Sequence, residues 1–348
     1  MPSVSVIILA WNSGDFLRAA VDALIAQTMT DWQLVLVDNG STDGSVDRLL
    51  TERHDPRIHL LRHPQNLGIG AGTQSALALC RAPWIAIMDS DDCSHPMRLE
   101  LQLRAAAADP TLDVIGTAAH VTDPAGNITG RYPMFYDPED IRRYAPFHMP
   151  VLHGTLLVRA EVFQAVPYRA VAEIVADYDW LIRVTEQFSV GVLSLPLYDY
   201  RVHGGCTTVK RQMESFARVA AVRLTVARRR AGQPENFAAI MEDARRLAAD
   251  AHLKVESGAT TDRHAKAKLF REFSRRCSAE GFPLLAALHA ALAVRECATP
   301  GTLLCYVRYL VAAARAEPGG WRLALGGLAK GPFWLLLKKA GFPAFPRY

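Results

Sequence analysis

Four short apolar runs alternate with stretches of helical periodicity through the first 120 residues, and this alternation leaves few folds open. Residues 4–9 form a β-branched-rich run, the pattern of a strand buried on both faces. Phe16, Leu17, Val21, Leu24 and Ile25 then recur at helical spacing, so a helix packs one face on the sheet. A second buried strand is predicted over 34–37; it stops at Asp38, where Asn39-Gly40-Ser41 is turn chemistry. The pattern continues with a short helix over 43–50, a strand over 58–61, a helix over 70–80, and a strand over 84–88 that ends at Asp89. Ser94 is expected to cap the following helix, with Pro96 near its first turn. Such units build a parallel α/β sheet, which binds ligands beyond the carboxyl ends of its strands. Asp38 and Asp89 both fall at such ends and should share one rim.

Strands are also expected over 112–117, 154–158 and 190–195, with a turn at Gly126-Asn127 after the first. A helix is expected over 177–188, its apolar face carried by Leu181, Val184 and Phe188. Beyond about residue 209 only helices are predicted. Charge divides the chain at the same place. Residues 1–208 hold 15 Arg, no Lys and 24 acids, a net of −9; residues 209–348 carry a net of +13. The expected organisation is an α/β domain over 1–208 and a basic helical region over 209–348. That region suits a membrane surface or a phosphorylated ligand, or is a solvated helical surface; no nucleic-acid partner is expected. Residues 318–348 contain no acid and set Trp321, Phe333 and Trp334 beside Arg322, Lys330, Lys338 and Lys339. This composition suits peripheral docking on the cytoplasmic face of an inner membrane, or a helix packed on the catalytic domain.

At 348 residues, with 50% apolar and 21% charged residues, the composition excludes disordered and collagen-like classes. The six cysteines form no CxxC pair, which argues against a structural zinc site, and reduced thiols are expected. No signal peptide is recognised at the N-terminus, and a cytoplasmic location is expected. The apolar stretches 301–314 and 321–337 are interrupted by Arg308, and by Arg322 and Lys330, so neither reads as a membrane span.

The run Asp89-Ser90-Asp91-Asp92 carries the most chemical information. Three adjacent carboxylates repel one another and raise each other's pKa values. A divalent cation removes that cost and keeps positions open for substrate phosphates. In isolation the run would equally suit a solvated acidic turn; its position at a strand end favours the metal. Asp38 can accept hydrogen bonds from a ribose or a base, or close an ordinary turn. Trp11, at the same rim, can stack on a base or simply pack.

Together these residues resemble glycosyltransferase family 2. Val4-Ser5-Val6-Ile7-Ile8-Leu9-Ala10-Trp11-Asn12 resembles its opening strand, and the stretch from Asp38 to Asp43 its nucleotide-binding turn. Asn66-Leu67-Gly68 with Gly72 and Gln74 resembles the next loop and helix, and the stretch from Trp84 to Asp92 its DxD strand. His153-Gly154-Thr155, Asp177-Tyr178-Asp179-Trp180 and Tyr200-Arg201-Val202-His203-Gly204-Gly205 resemble its acceptor-side motifs.

The resemblance implies a GT-A fold, an α/β nucleotide-diphospho-sugar transferase domain, followed here by the helical region. It implies inverting transfer of a sugar, UDP-linked by preference, to a glycan or lipid-linked acceptor in bacterial surface polysaccharide synthesis. It implies manganese or magnesium as cofactor. Asp177 would be the catalytic base, with Asp179 as its neighbour and competitor and His153 on the acceptor side. Trp11, Asn12, Asp38, Gly68, Gln74 and Asp89 would face the donor. Asp91, with Asp89 and His203, would hold the metal.

The chain departs from the family at Thr73-Gln74, where Arg-Asn is frequent, at Ala176, where Glu is frequent, and at Cys206, where Ser is frequent. A sugar nucleotidyltransferase and a non-catalytic nucleotide-sugar binder are the alternatives. The stretch 11–15 lacks the basic residue a triphosphate would call for, and the acids at 91 and 177 argue against a binder.

Overall fold

The computed structural model describes residues 1–297 apart from 133–136, 147–148, 207–209 and 258–259. The chain divides into two compact units, Met1–Lys210 and the residues from Arg211 onward. The first unit is built on a mixed sheet, and its opening half follows the alternation in the sequence. β1 (Val4–Ala10), β2 (Trp32–Asp38), β3 (Ile58–Arg62) and β4 (Trp84–Asp89) lie in the order β3-β2-β1-β4, all parallel. α1 (Phe16–Ile25), α2 (Ser45–Glu52) and α3 (Gly68–Ala76) connect them.

β1 shows why these strands are apolar throughout. Val4, Val6, Ile8 and Ala10 share a core with Leu17, Val21 and Leu24 of α1. Leu9, on the other face, meets α3 so closely that a Cβ on Gly72 would lie 2.6 Å from Leu9 Cδ1. Both faces are covered, so no position on the strand favours a solvated residue.

Beyond β4 the sheet becomes mixed. β5 (Cys93–Ser94), α4 (Arg98–Ala108), β6 (Val114–Thr122), β7 (Ile128–Arg131), α5 (Pro138–Tyr144), β8 (Leu157–Arg159), α6 (Ala160–Ala165), α7 (Ala176–Thr185) and β9 (Val190–Arg201) complete the unit. β8 is antiparallel to β4 and β6, while β9 is parallel to β6.

Two sequence expectations are corrected here. Ser94 does not cap a helix: it pairs with Tyr198 in the sheet, and α4 starts at Arg98 without a side-chain cap. β9 does not stop at Leu195. Register shifts about Ala118 absorb Pro196, which pairs there, and the strand continues to Arg201. Proline reads as a strand terminator because it cannot donate to a ladder, but a bulge tolerates it. This extension carries Arg201 and His203 to the acidic run.

The second unit is helical: α8 (Gln212–Arg230), α9 (Phe237–Glu256), α10 (Asp262–Ala279) and α11 (Pro283–Glu296). Small residues such as Ala217, Ala220, Ala221, Ala244 and Ala248 are buried, letting helices pack closely. No helix among the described residues is long and apolar enough to cross a membrane. The segment 318–348, for which membrane docking was expected, lies outside the described residues.

The turn after β2 depends on one glycine. Gly40 has φ +76°, and a Cβ there would lie 2.5 Å from the carbonyl carbon of Gln65. Gly40→Ala is expected to lower the unfolding free energy by about 1–3 kcal/mol through backbone strain alone, with further loss from the clash. An unchanged urea midpoint would contradict this.

Candidate active site

The rim is set by register. Ala10 pairs with Asp38 on one side of β1 and Leu9 pairs with Asp89 on the other, so both acids flank the same strand end. The loop after β1 is stitched to the loop after β2. Thr42 N–H donates to Asn12 Oδ1 (2.8 Å), Asn12 N–H to Ser41 Oγ (3.1 Å), and Gly14 N–H to Asp43 Oδ2 (2.9 Å). Asn12 itself has φ +50°, a left-handed conformation that asparagine tolerates.

Asp38 is buried and accepts from Ser41 N–H (2.9 Å), with Arg62 Nε 3.5 Å from its other oxygen. Asn39 clasps the next loop: its amide donates to Asn66 Oδ1 (3.0 Å) and its carbonyl accepts from Leu67 N–H (3.1 Å). Gly68 N–H donates to Asn66 Oδ1 (2.7 Å). Trp11 is half exposed beside these loops. Asn12, Asp38 and Gly68 are therefore held on one rim by these hydrogen bonds, with Asn39 N–H also donating to Ala10 O (2.8 Å). Gln74 is placed differently. Its side-chain oxygen accepts from Tyr168 N–H (3.2 Å), tying α3 to the loop before α7.

The three acids of the 89–92 run occupy different environments. Asp89 is half-buried, and its N–H donates to the Tyr198 hydroxyl (3.0 Å). Burial pushes its carboxyl up to about 7, with Asp91 and Asp177 adding to the shift and Arg98 opposing it. Asp92 is fully buried; Oδ1 accepts from Arg201 N–H (2.7 Å), and burial, with Asp89 and Asp91, raises it well above the usual carboxylate range. Beneath them Arg98 is buried over the Tyr198 ring, donating to Ile87 O (2.9 Å) and Gln102 Oε1 (3.1 Å). Burial lowers its guanidinium to about 10.

Asp91 faces outward, with its Oδ2 2.9 Å from His203 Nε2. His203 Nδ1 accepts from Gly205 N–H (3.1 Å), so the ring proton sits on Nε2 and points at Asp91. The His203 ring packs on Phe16 at 4.7 Å. One ligand atom each from Asp91, His203 and Cys206 lies within 4.8 Å of the others. Asp89, expected as a ligand, does not join that group; its Oδ2 faces Gly154, where a Cβ would come within 2.7 Å. A divalent cation fits this rim: its donor set is present, and it would offset the burial and mutual repulsion that together raise Asp89 and Asp92.

The structure separates two acids at the start of α7. Asp177 is half-buried; its Oδ1 accepts from Tyr178 N–H (2.8 Å), and burial raises its carboxyl to about 6. Asp179 is 2% exposed, with Arg183 at 2.9 Å and Arg169 at 3.9 Å. Asp179, expected as a competing acceptor-side acid, is an internal ion-pair residue in this structure. His153, expected on the acceptor side, also lies inside the unit. It is buried, bonded through Nε2 to the Tyr168 hydroxyl (2.7 Å), packed edge-on to Trp180, and pushed down to about 4 by burial, so it is a neutral core residue. Asp179→Asn is expected to cost about 3–5 kcal/mol of stability by removing the carboxylate charge that pairs with Arg183 in the interior. A melting temperature equal to wild type would refute that.

Sequence reasoning missed several contributors. Arg98 and Tyr198, which support the acidic run, carry no signal distinguishing them from surface residues. Ser13 and Ser90, joined at 2.7 Å between hydroxyls, link the β1 and β4 loops and are visible only in three dimensions. Cys206 registers in the sequence only as a departure from a family position.

Comparison with known proteins agrees with this architecture. The glycosyl transferase family 2 model matches residues 5–166. EpsE of Bacillus subtilis, whose name assigns it as a glycosyltransferase, is 30% identical over 207 residues, covering 58% of this chain and 73% of EpsE. S. aureus TarS 1–349 in complex with UDP-GlcNAc superposes with a TM-score of 0.58 at 17% identity, covering 91% of this chain and 93% of that one. The mannosyltransferase PcManGT from Pyrobaculum calidifontis, in complex with GDP-Man and Mn2+, superposes with a TM-score of 0.50 at 16% identity, covering 94% and 86%. These likenesses give the fold as GT-A type. With the opening strands, the Asp38 turn and the acidic run arranged as described, the chain belongs to glycosyltransferase family 2, and is a glycosyltransferase.

Proposed function

We propose that this enzyme transfers a sugar from a nucleotide-diphosphate donor, UDP-linked by preference, to a hydroxyl of a glycan or lipid-linked acceptor, with inversion, in bacterial surface polysaccharide synthesis of the cell envelope. One observation carries the reading: register sets Asp38 and Asp89 at the same end of β1, and the run that follows Asp89 presents Asp91 to His203 at 2.9 Å. A candidate donor-binding acid and a candidate metal site thus share one rim.

In this reading Trp11 stacks on the base, and Asn12 and Gly68 shape the donor loop. Asp38 accepts from the base or ribose and Asp89 from the ribose, while Gln74 holds the donor helix to the acceptor loop. Asp91 and His203 hold manganese or magnesium. When bound, that ion supplies positive charge to the diphosphate leaving group. Asp177 accepts the proton of the acceptor hydroxyl; its raised pKa makes it a stronger base than an ordinary aspartate while leaving it ionised near neutral pH. UDP-GlcNAc in the TarS complex, and GDP-Man with Mn2+ in that of PcManGT, support a nucleotide-sugar donor and a divalent ion. Residues 1–208 would form the catalytic domain of a cytoplasmic enzyme, with the basic region over 209–348 able to meet an anionic membrane surface.

The sugar nucleotidyltransferase reading is less well supported. In the loop after β1, the Gly14 N–H is taken by Asp43, so a carboxylate occupies a donor that a triphosphate would need. Release of UDP from UDP-sugars, measured with manganese and with EDTA, tests the proposal. Metal-dependent release by wild type, lost in Asp91→Asn, is expected. Absence of metal-dependent turnover or binding with any nucleotide sugar would reject it.

A further inference from the structure

The cation group on the rim includes a donor that hard ions do not require. Magnesium and manganese are satisfied by oxygen and imidazole, whereas the thiol of Cys206 is a soft ligand. Carboxylate, imidazole and thiolate together form a donor set suited to zinc, and three protein ligands with an open side resemble an accessible rather than a closed zinc site.

The thiol is also held in place. Cys206 N–H donates to His203 O (3.1 Å), His203 N–H donates to Cys206 Sγ (3.4 Å), and the thiol points to Arg201 O (3.6 Å). Arg201 in turn donates from Nε to Asp91 O (2.9 Å) and from its backbone N–H to Asp92 Oδ1. The 201–206 loop and the 91–92 backbone therefore form one interlocked unit. Cys206 is buried, while the side chains of Asp91 and His203 are 29% and 16% exposed, so the group opens on one side.

We propose that Asp91, His203 and Cys206 form a thiol-containing cation site in which zinc(II) binds in competition with the hard divalent ion, making this glycosyltransferase sensitive to zinc. The inference rests on the reading of Asp91 as a metal ligand. Ligand atoms around tetrahedral zinc stand about 3.5 Å apart, so a bound ion would spread the Asp91–His203 pair from 2.9 Å and draw in any ligand atom standing further off, within the 4.8 Å that encloses the group. On binding, the sulfur–metal bond forms and the thiol proton leaves to solvent. For Nε2 of His203 to face the metal, its proton leaves to solvent and Nδ1 takes one up, so the Gly205 N–H that donates to Nδ1 must turn away.

Cobalt(II) titration of the full-length protein reads thiolate ligation directly, through sulfur-to-cobalt charge-transfer absorption in the near ultraviolet. Manganese binding by electron paramagnetic resonance serves as the reference. Wild type and Cys93→Ser are expected to show the band, and one equivalent of zinc should abolish it. Cys206→Ser should lack the band and lose about tenfold or more in zinc affinity, at least the loss seen when an outer-shell partner is removed. Cobalt binding without the band, or an unchanged band in Cys206→Ser, overturns the inference and leaves the metal reading of Asp91 intact. Binding of neither cobalt nor manganese overturns both.

Discussion

Asp177→Asn is expected to reduce kcat by about 10²–10⁴-fold, the usual contribution of a positioned general base, while leaving donor affinity unchanged. Asparagine keeps the oxygen that accepts from Tyr178 N–H but cannot take the acceptor proton. Because burial raises Asp177 to about 6, the acid limb of the wild-type profile should fall near that pH, with activity lost as pH drops and the carboxylate protonates. Stability should change in the opposite direction. A carboxyl raised by folding binds its proton more tightly in the native state, so its contribution to stability falls as pH rises from about 4 through about 6. Asp177→Asn removes that penalty and should melt higher than wild type at pH 7.5. A variant within tenfold of wild-type kcat would place the base elsewhere. The contrast with Asp179→Asn is informative, since that change at the same helix start is expected to lower stability instead.

Asp91→Asn should reduce metal-dependent donor turnover by about 10²-fold or more, comparable to losing one charge-stabilising contact at a developing anion. Its stability should depend on the ligands present. With EDTA, removing one of three mutually repelling carboxylates should raise the melting temperature, because Asp91 contributes to the raised pKa of both Asp89 and Asp92. Asparagine also retains an oxygen for His203. With manganese and a UDP-sugar, wild type should be the more stable, because it gains binding free energy that the variant lacks. Thermal melts under both conditions test this reversal. A variant that gains as much from manganese and donor as wild type would remove Asp91 from the site.

Much of the donor half was legible in the sequence. β1, β2 and β4 are covered on both faces, so their apolar runs carry the strand signal, and the turn residues mark where each run ends. Parallel connection then places Asp38 and Asp89 beside the end of β1, as the pairing of Ala10 with Asp38 and of Leu9 with Asp89 shows. The acceptor half was less legible. Asp177 and Asp179 are the same residue type on one helix turn, and only packing against Arg183 and Arg169 distinguishes them. His153 matched a motif, yet the aromatic wall of Tyr168 and Trp180 makes it a core residue.

The sequence by itself determined the strand–helix alternation of a parallel sheet, the rim and the acidic run, because local periodicity and turn chemistry act over a few residues. Only the tertiary structure decided which acids are open, paired or buried. It also decided that β9 continues past Pro196 through a bulge to set His203 and Cys206 against Asp91. The carboxylate of Asp91 acquires its neighbours through a strand pairing more than a hundred positions away in the chain, and a carboxylate's chemistry is set by what surrounds it in space.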